Sequence, residues 1–164
     1  MIKKLIFISS LSFFLAACSK TSSSGGGCGY TDSSVTAPAS EIAALQTWIN
    51  ANHPAAIKHS SGFFYEISTA GTGGTANICS RIYIKYSGYL ISPNPGFKFD
   101  ENLTGTSLSM YQLIIGWQKG IPLLKAGGTI NLYIPPTLAY GSAGSGGVPA
   151  NAYLQFNIQL LDVQ

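Results

Sequence analysis

The sequence predicts an α+β domain, an antiparallel sheet packed on one short helix with a further helix in front of it. Two stretches carry most of that reading. Residues 80–91, SRIYIKYSGYLI, alternate Ile82, Ile84 and Tyr86 against Arg81, Tyr83 and Lys85, the period of two of a half-buried strand. Residues 152–163, AYLQFNIQLLDV, alternate as cleanly, with Leu154, Phe156, Ile158 and Leu160 on one face. Between them LIIGWQKGIPLLKAGG, residues 113–128, reads as a short helix ended by Gly127 and Gly128. Strands around a single helix, without internal repeats, make an α+β arrangement.

The other elements follow in chain order. In PASEIAALQTWINAN, Ile42, Leu45 and Ile49 fall at helical spacing with Trp48 beside them, and Ser40 can cap the first turn, which predicts a helix over 41–52. GFFYEIST, residues 62–69, reads as a strand and AGTGGTAN, residues 70–77, as a loop. SPNPGFKFDEN, residues 92–102, reads as a turn leading into an irregular segment, and SLSMYQ, residues 107–112, as a strand. Pro122 should shorten or kink the helix in which it lies. In NLYIPPTLAYG, Leu132 to Ile134 reads as a strand that Pro135 and Pro136 end, because proline cannot donate to a sheet ladder. Tyr140 is thereby held out at the mouth of the sheet.

A chain of 164 residues has room for one domain plus attachments. It is 46% hydrophobic and 12% aromatic, enough for a real core, yet only 9% charged, far below the usual quarter or so. The first twenty residues, MIKKLIFISSLSFFLAACSK, carry two lysines, an apolar run from Leu5 to Leu15 and then small residues. That is the pattern of a secretory signal, since the run is too short to span a membrane. Leu15-Ala16-Ala17-Cys18 resembles a bacterial lipobox, which implies cleavage before Cys18 and lipidation of its thiol and new amino group. The expected organisation is a signal peptide at 1–17, a flexible Ser/Gly-rich tether at 18–37, a helical extension at 38–62 and the main domain at 63–164. Without Lys3 and Lys4, seven Lys or Arg face six acids, so nothing suggests a basic nucleic-acid surface. Cys28 and Cys79 remain as an even pair in an exported chain, a disulfide candidate that would clip the extension to the domain; two free buried thiols are the alternative.

Other constellations carry no chemistry. His53 and His59 sit in a loop region without ligand partners at useful spacing and are expected to be solvated, so no metal site is expected. AGSGG around Ser145 has no strand leading into it and no His placed to help, and GTGGT lacks the strand-then-helix setting of a dinucleotide loop.

Five segments, IKYSGYL, GFKFDEN, LIIGWQKGIPLLKAGG, LYIPPTLAYGSAGSGG and VPANAYLQFNIQLLDV, occur in the order and spacing of the FKBP-type peptidyl-prolyl isomerases. The resemblance covers about residues 63–164. It implies a curved antiparallel sheet wrapped around one short helix, an apolar aromatic hollow between them, and catalysis of cis/trans rotation about X-Pro bonds without a cofactor. It further implies that Tyr86, Phe99, Asp100, Trp117, Tyr140 and Phe156 form the catalytic hollow. In that set Trp117 is the floor under the proline ring, Asp100 the acid near the substrate carbonyl, and Tyr140 a hydroxyl donor to a ligand carbonyl. Leu108, Leu113, Ile114 and Val148 match substrate-binding positions, Leu113 and Ile114 through their backbone.

The chain departs from the family pattern in three places. Many members carry an arginine shortly after the F-D pair that pairs with the acid; DENLTGTSL has none, so Asp100 is expected to be less rigidly held. Leu108 stands where the family has a pocket phenylalanine, and Ser145 where some members have His. The implied partners are proline-containing polypeptides, a membrane through the lipid on Cys18, and macrolide inhibitors, with no nucleic acid, acting as a monomer. The implied location is the bacterial cell envelope, at the outer membrane facing the periplasm, with surface exposure left open. A non-catalytic module that holds proline peptides in the same hollow is the rival reading.

Overall fold

The computed structural model describes residues 28–164. The expected signal peptide, the expected lipidation site Cys18 and the first part of the expected tether lie outside these residues. The elements are α1 (Ala39–Asn52), β1 (Ile57–Lys58), β2 (Phe64–Thr69), β3 (Arg81–Ser92), β4 (Lys98–Ser109), α2 (Ile115–Gly120), β5 (Thr129–Ile134) and β6 (Tyr153–Val163). Short 3₁₀ turns lie at Met110–Gln112, Ile121–Leu123 and Pro136–Leu138. The strands form one six-stranded sheet in the order β1-β2-β5-β6-β3-β4, and every neighbouring pair is antiparallel. The α+β class, with one short helix against the sheet and an extra helix at the N-terminal side, is therefore the observed one.

The strand periodicities explain the core. Leu154, Phe156, Ile158 and Leu160 of β6 are all buried, with Ile82 and Ile84 of β3 beside them. This face packs on α2 and its following turn through Trp117, Ile121 and Leu124. β5 is covered on both sides: Ile130, Leu132 and Ile134 join that core, whereas Tyr133 points the other way into a second cluster with Leu45 and Ile49 of α1, Phe64 and Ile91. α1 therefore sits on the face opposite α2. Burying both leucine-sized anchors of α1 contributes roughly 1.5–3 kcal/mol each.

The helices differ from expectation at their ends. α1 starts at Ala39 with Pro38 in the cap position and without a side-chain cap; the fixed φ of proline suits a helix start, and Ser40 lies inside the first turn. α2 stops at Gly120, and Pro122 opens the 3₁₀ turn that follows. Gly127 and Gly128 do not end the helix. They lead the chain into β5, where the Gly127 amide donates to the Leu160 carbonyl at 2.7 Å and the Leu160 amide donates to the Gly128 carbonyl at 2.9 Å.

The segment expected to be irregular is a twelve-residue edge strand, β4, paired only with β3. A register shift and Gly105 at φ +106 interrupt it. The Gly105 amide donates to Asn102 Oδ1 at 2.8 Å, and a Cβ at Gly105 would lie 2.5 Å from the Tyr83 hydroxyl. Residues 107–109 finish this strand, and Met110–Gln112 turns away as a 3₁₀ turn rather than continuing it.

Residues 28–37, expected within the tether, run along the domain instead. Cys28 and Cys79 are disulfide-bonded with Cα atoms 5.6 Å apart. The Tyr30 ring stacks on Tyr111 at 3.9 Å, Lys119 Nζ donates to the Ser33 carbonyl at 2.5 Å, and the Ala37 amide donates to the Ser61 carbonyl at 2.9 Å. Both histidines are partly buried and contact the domain rather than standing free in solvent. His53 Nδ1 lies 2.8 Å from the Tyr133 hydroxyl and 3.3 Å from Glu66 Oε2. The His59 ring stacks on Phe63 at 4.3 Å; burial and then the Lys119 charge hold its pKa below the ordinary value.

Candidate active site

The site begins with a missing side chain. Tyr86 and Gly88 lie on one face of β3, two residues apart. Gly88 pairs with Phe156 of β6 and with Asp100 of β4. A Cβ at Gly88 would lie 2.8 Å from both the Phe156 and Phe99 rings, so only glycine lets these rings lie across β3. Phe99 meets Phe156 edge to face at 5.5 Å. Phe156 in turn meets Trp117 at 5.0 Å, and Tyr86 meets Trp117 at 5.2 Å. Such perpendicular contacts contribute about 0.5–1.5 kcal/mol each beyond burial, and together they fix the indole.

α2 brings Trp117 close to the sheet because two glycines face β5. A Cβ at Gly116 would lie 2.6 Å from Ile134, and one at Gly120 would lie 2.7 Å from Leu132. Trp117 is 5% exposed, and its indole N–H has no hydrogen-bond partner. The segment before α2 is braced by Gln118, whose Nε2 donates to the Leu113 carbonyl at 2.8 Å and the Tyr111 carbonyl at 3.3 Å.

The polar groups stand at the rim. The Tyr86 hydroxyl donates to Asp100 Oδ2 at 2.7 Å. No arginine follows the F-D pair, as the sequence indicated, and this phenol holds the carboxylate instead. Burial first, then the hydrogen bond and charge of Asp100, push the Tyr86 pKa well above its ordinary value. Tyr140 lies within the turn closed by the Gly141 amide donating to the Pro136 carbonyl at 2.9 Å. Its pKa is also raised, by burial and then by Asp100. Both phenols therefore stay protonated at neutral pH and can donate hydrogen bonds.

These residues enclose a hollow of about 180 Å³. Of the expected site residues, Tyr86, Asp100, Leu108, Leu113, Ile114, Trp117, Tyr140 and Phe156 line it. Phe99 and Val148 do not; Phe99 backs Phe156, and Val148 is 6% exposed in the core, with its amide donating to the Ser145 carbonyl. Gln112 lines the hollow as well, and neither a motif nor a periodicity marks it in the sequence.

The lining contains no Ser, Cys, His or Lys, and among the described residues no group of His, Cys, Asp and Glu is placed to hold a metal. An apolar floor with phenol donors at its edge suits an apolar ring and an adjacent carbonyl. The sequence model of the family described as FKBP-type peptidyl-prolyl cis-trans isomerase matches residues 73–161, more than half of the chain. The chain belongs to that family, whose members act on proline-containing peptides.

Among its relatives, the FKBP-type peptidyl-prolyl cis-trans isomerase FkpA of Buchnera aphidicola (Acyrthosiphon pisum strain) is 41% identical over 109 residues, covering 65% of this chain and 44% of that protein. FkpA of Escherichia coli K12 is 41% identical over 108 residues, covering 64% and 39%. The chain thus spans less than half the length of these relatives. The crystal structure of Escherichia coli FkpA superposes with a TM-score of 0.67 at 33% identity, covering 77% of this chain and 58% of that one. A peptidyl-prolyl cis-trans isomerase from Pseudomonas syringae pv. tomato gives 0.66 at 25% identity, covering 79% and 98%.

Proposed function

We propose that this protein catalyses cis/trans isomerisation of X-Pro bonds in exported or envelope proteins and so assists their folding. The carrying observation is the hollow itself: a fixed indole at the bottom, with Tyr140 and the Tyr86–Asp100 pair at the rim. The barrier to be lowered is amide resonance, about 18–20 kcal/mol. The planar amide is the more charge-separated form, so a dry pocket favours the twisted one. In this reading Trp117 lies under the proline ring and Phe156 and Leu108 wall it. The backbone at Leu113 and Ile114 binds the flanking peptide, and Tyr140 donates to a substrate carbonyl. Asp100 faces the carbonyl that rotates; it is exposed at the rim, so water weakens its field. A million-fold acceleration requires about 8 kcal/mol from these effects together.

The leader and lipobox resemblance support a lipid-anchored envelope location, with residues 18–27 as tether, at the outer membrane facing the periplasm; Cys18→Ala is expected to move the protein from the membrane to the soluble fraction. A macrolide that fills the hollow is expected to compete with peptide. The rival, a non-catalytic holder of proline segments, gains support from Leu108, which leaves one wall aliphatic. Exchange between cis and trans forms of a short Xaa-Pro peptide, followed by NMR, separates the two. Wild type is expected to speed exchange and Tyr140→Phe to lower kcat/KM about tenfold; binding without faster exchange would favour the holder.

A further inference from the structure

The turn that presents Tyr140 leaves the Thr137 amide without a partner of its own. Pro135 and Pro136 carry no amide hydrogen. The amides of Leu138, Ala139 and Gly141 donate within the turn, to the Pro135 carbonyl at 3.1 Å and the Pro136 carbonyl at 2.9 and 2.9 Å. The Thr137 amide has no such partner. It donates instead to Glu41 Oε2 at 3.0 Å, and the Thr137 hydroxyl donates to Glu41 Oε1 at 2.7 Å. Glu41 belongs to the first turn of α1, which precedes the family-matched stretch of residues 73–161. Its carboxylate thus does for the 3₁₀ turn what an N-cap side chain does for a helix, from a separate element.

Resting on the isomerase reading, we propose that Glu41 is a positioning residue for Tyr140: the N-terminal helix fixes the phenol at the rim of the hollow by holding Thr137. Charge-assisted hydrogen bonds are the strong ones, and two from one carboxylate to one residue fix an orientation as well as a distance. Tyr140 is only three residues on, and between them lie the fully buried Leu138 and the internally bonded Ala139, so the turn moves as one piece. A hydroxyl that must meet a rotating amide is sensitive to small displacements, and about 1 Å can cost two orders of magnitude in rate. α1 is itself anchored by Leu45 and Ile49, each 1% exposed, so it is a firm base for such a contact.

The test is a double-variant cycle on the full chain purified in detergent, with kcat/KM measured on a short Xaa-Pro peptide. Glu41→Ala is expected to lower kcat/KM about 3- to 10-fold, and Glu41→Gln, which keeps an acceptor oxygen, to lie between it and wild type. In a Tyr140→Phe background Glu41→Ala is expected to change kcat/KM by less than about 1.5-fold, because the group that it positions is gone. Equal losses in both backgrounds would show a merely structural role and overturn the proposal, as would wild-type turnover by a folded Glu41→Ala. Thr137→Val, which removes one of the two hydrogen bonds, serves for the same cycle if Glu41→Ala does not fold. Tyr140 ring resonances give a readout independent of turnover: they are expected to shift in Glu41→Ala while those of Tyr65 stay fixed, and an unmoved Tyr140 ring would overturn the proposal. A wild type that does not isomerise the peptide would remove the isomerase reading, and the ring resonances would still decide what Glu41 holds.

Discussion

Tyr133 shows how one side chain can serve two structures. Its position in β5 places it between the sheet and α1, and its hydroxyl donates to Glu66 Oε2 at 2.5 Å beside His53. Burial first, then Glu66, raise its pKa far above the ordinary value of 10.0. The folded state therefore keeps a proton that the unfolded chain releases near pH 10, so stability falls as pH rises beyond that point. Urea unfolding at pH 8 and pH 11 is expected to show this loss, with a shallower loss in Tyr133→Phe; equal slopes would contradict the assignment. The residues of the candidate site divide in the same local way. Tyr86, Asp100, Trp117 and Tyr140 sit in short ordered strings, IKYSGYL, GFKFDEN, LIIGWQKG and LAYG, and were legible from them. Gln112, Gln118 and Glu41 act through contacts that no spacing encodes; Glu41 meets Thr137 across 96 positions.

At the scale of elements, β6 and β3 were legible because one face is buried and the other is not. β4 was not: it is an edge strand, largely exposed, and its bulge at Gly105 breaks any alternation. The ends of α2 were misread for a related reason, since Gly116 and Gly120 serve packing on β5 while Gly127 and Gly128 serve the following turn. Gly116→Ala separates packing from helix propensity. Propensity alone favours alanine by about 1 kcal/mol, yet its Cβ would enter the space of Ile134. Overpacking costs about 1–3 kcal/mol, so a net loss of urea stability is expected; a gain would show that α2 has room to move away from the sheet.

Over the described residues, the stretch 28–62 and the main domain pack together. Cys28 and Cys79 are 51 positions apart, and the chain-entropy model gives about 4 kcal/mol for a loop of that length. The double variant Cys28→Ser/Cys79→Ser is expected to lose about 2–4 kcal/mol in urea unfolding under oxidising conditions and to match wild type under strong reduction. An unchanged stability would mean that the disulfide adds nothing to the fold. α1 and this segment also show what sequence similarity leaves out. Both lie before the family-matched stretch, yet α1 covers Tyr133 and reaches the turn of Tyr140, and the segment is bonded to the domain at Cys79, Lys119 and Ser61.

The hollow is proposed to turn X-Pro bonds. The most direct measurement is the refolding of a protein whose slow phase is limited by proline isomerisation, with wild type, Asp100→Ala and Tyr140→Ala compared and each variant checked for native structure. Isomerisation in the hollow predicts clear acceleration by catalytic amounts of wild type, reduced several-fold in each folded variant. An unchanged slow phase with well-folded wild type, or equal acceleration by all three proteins, would contradict it.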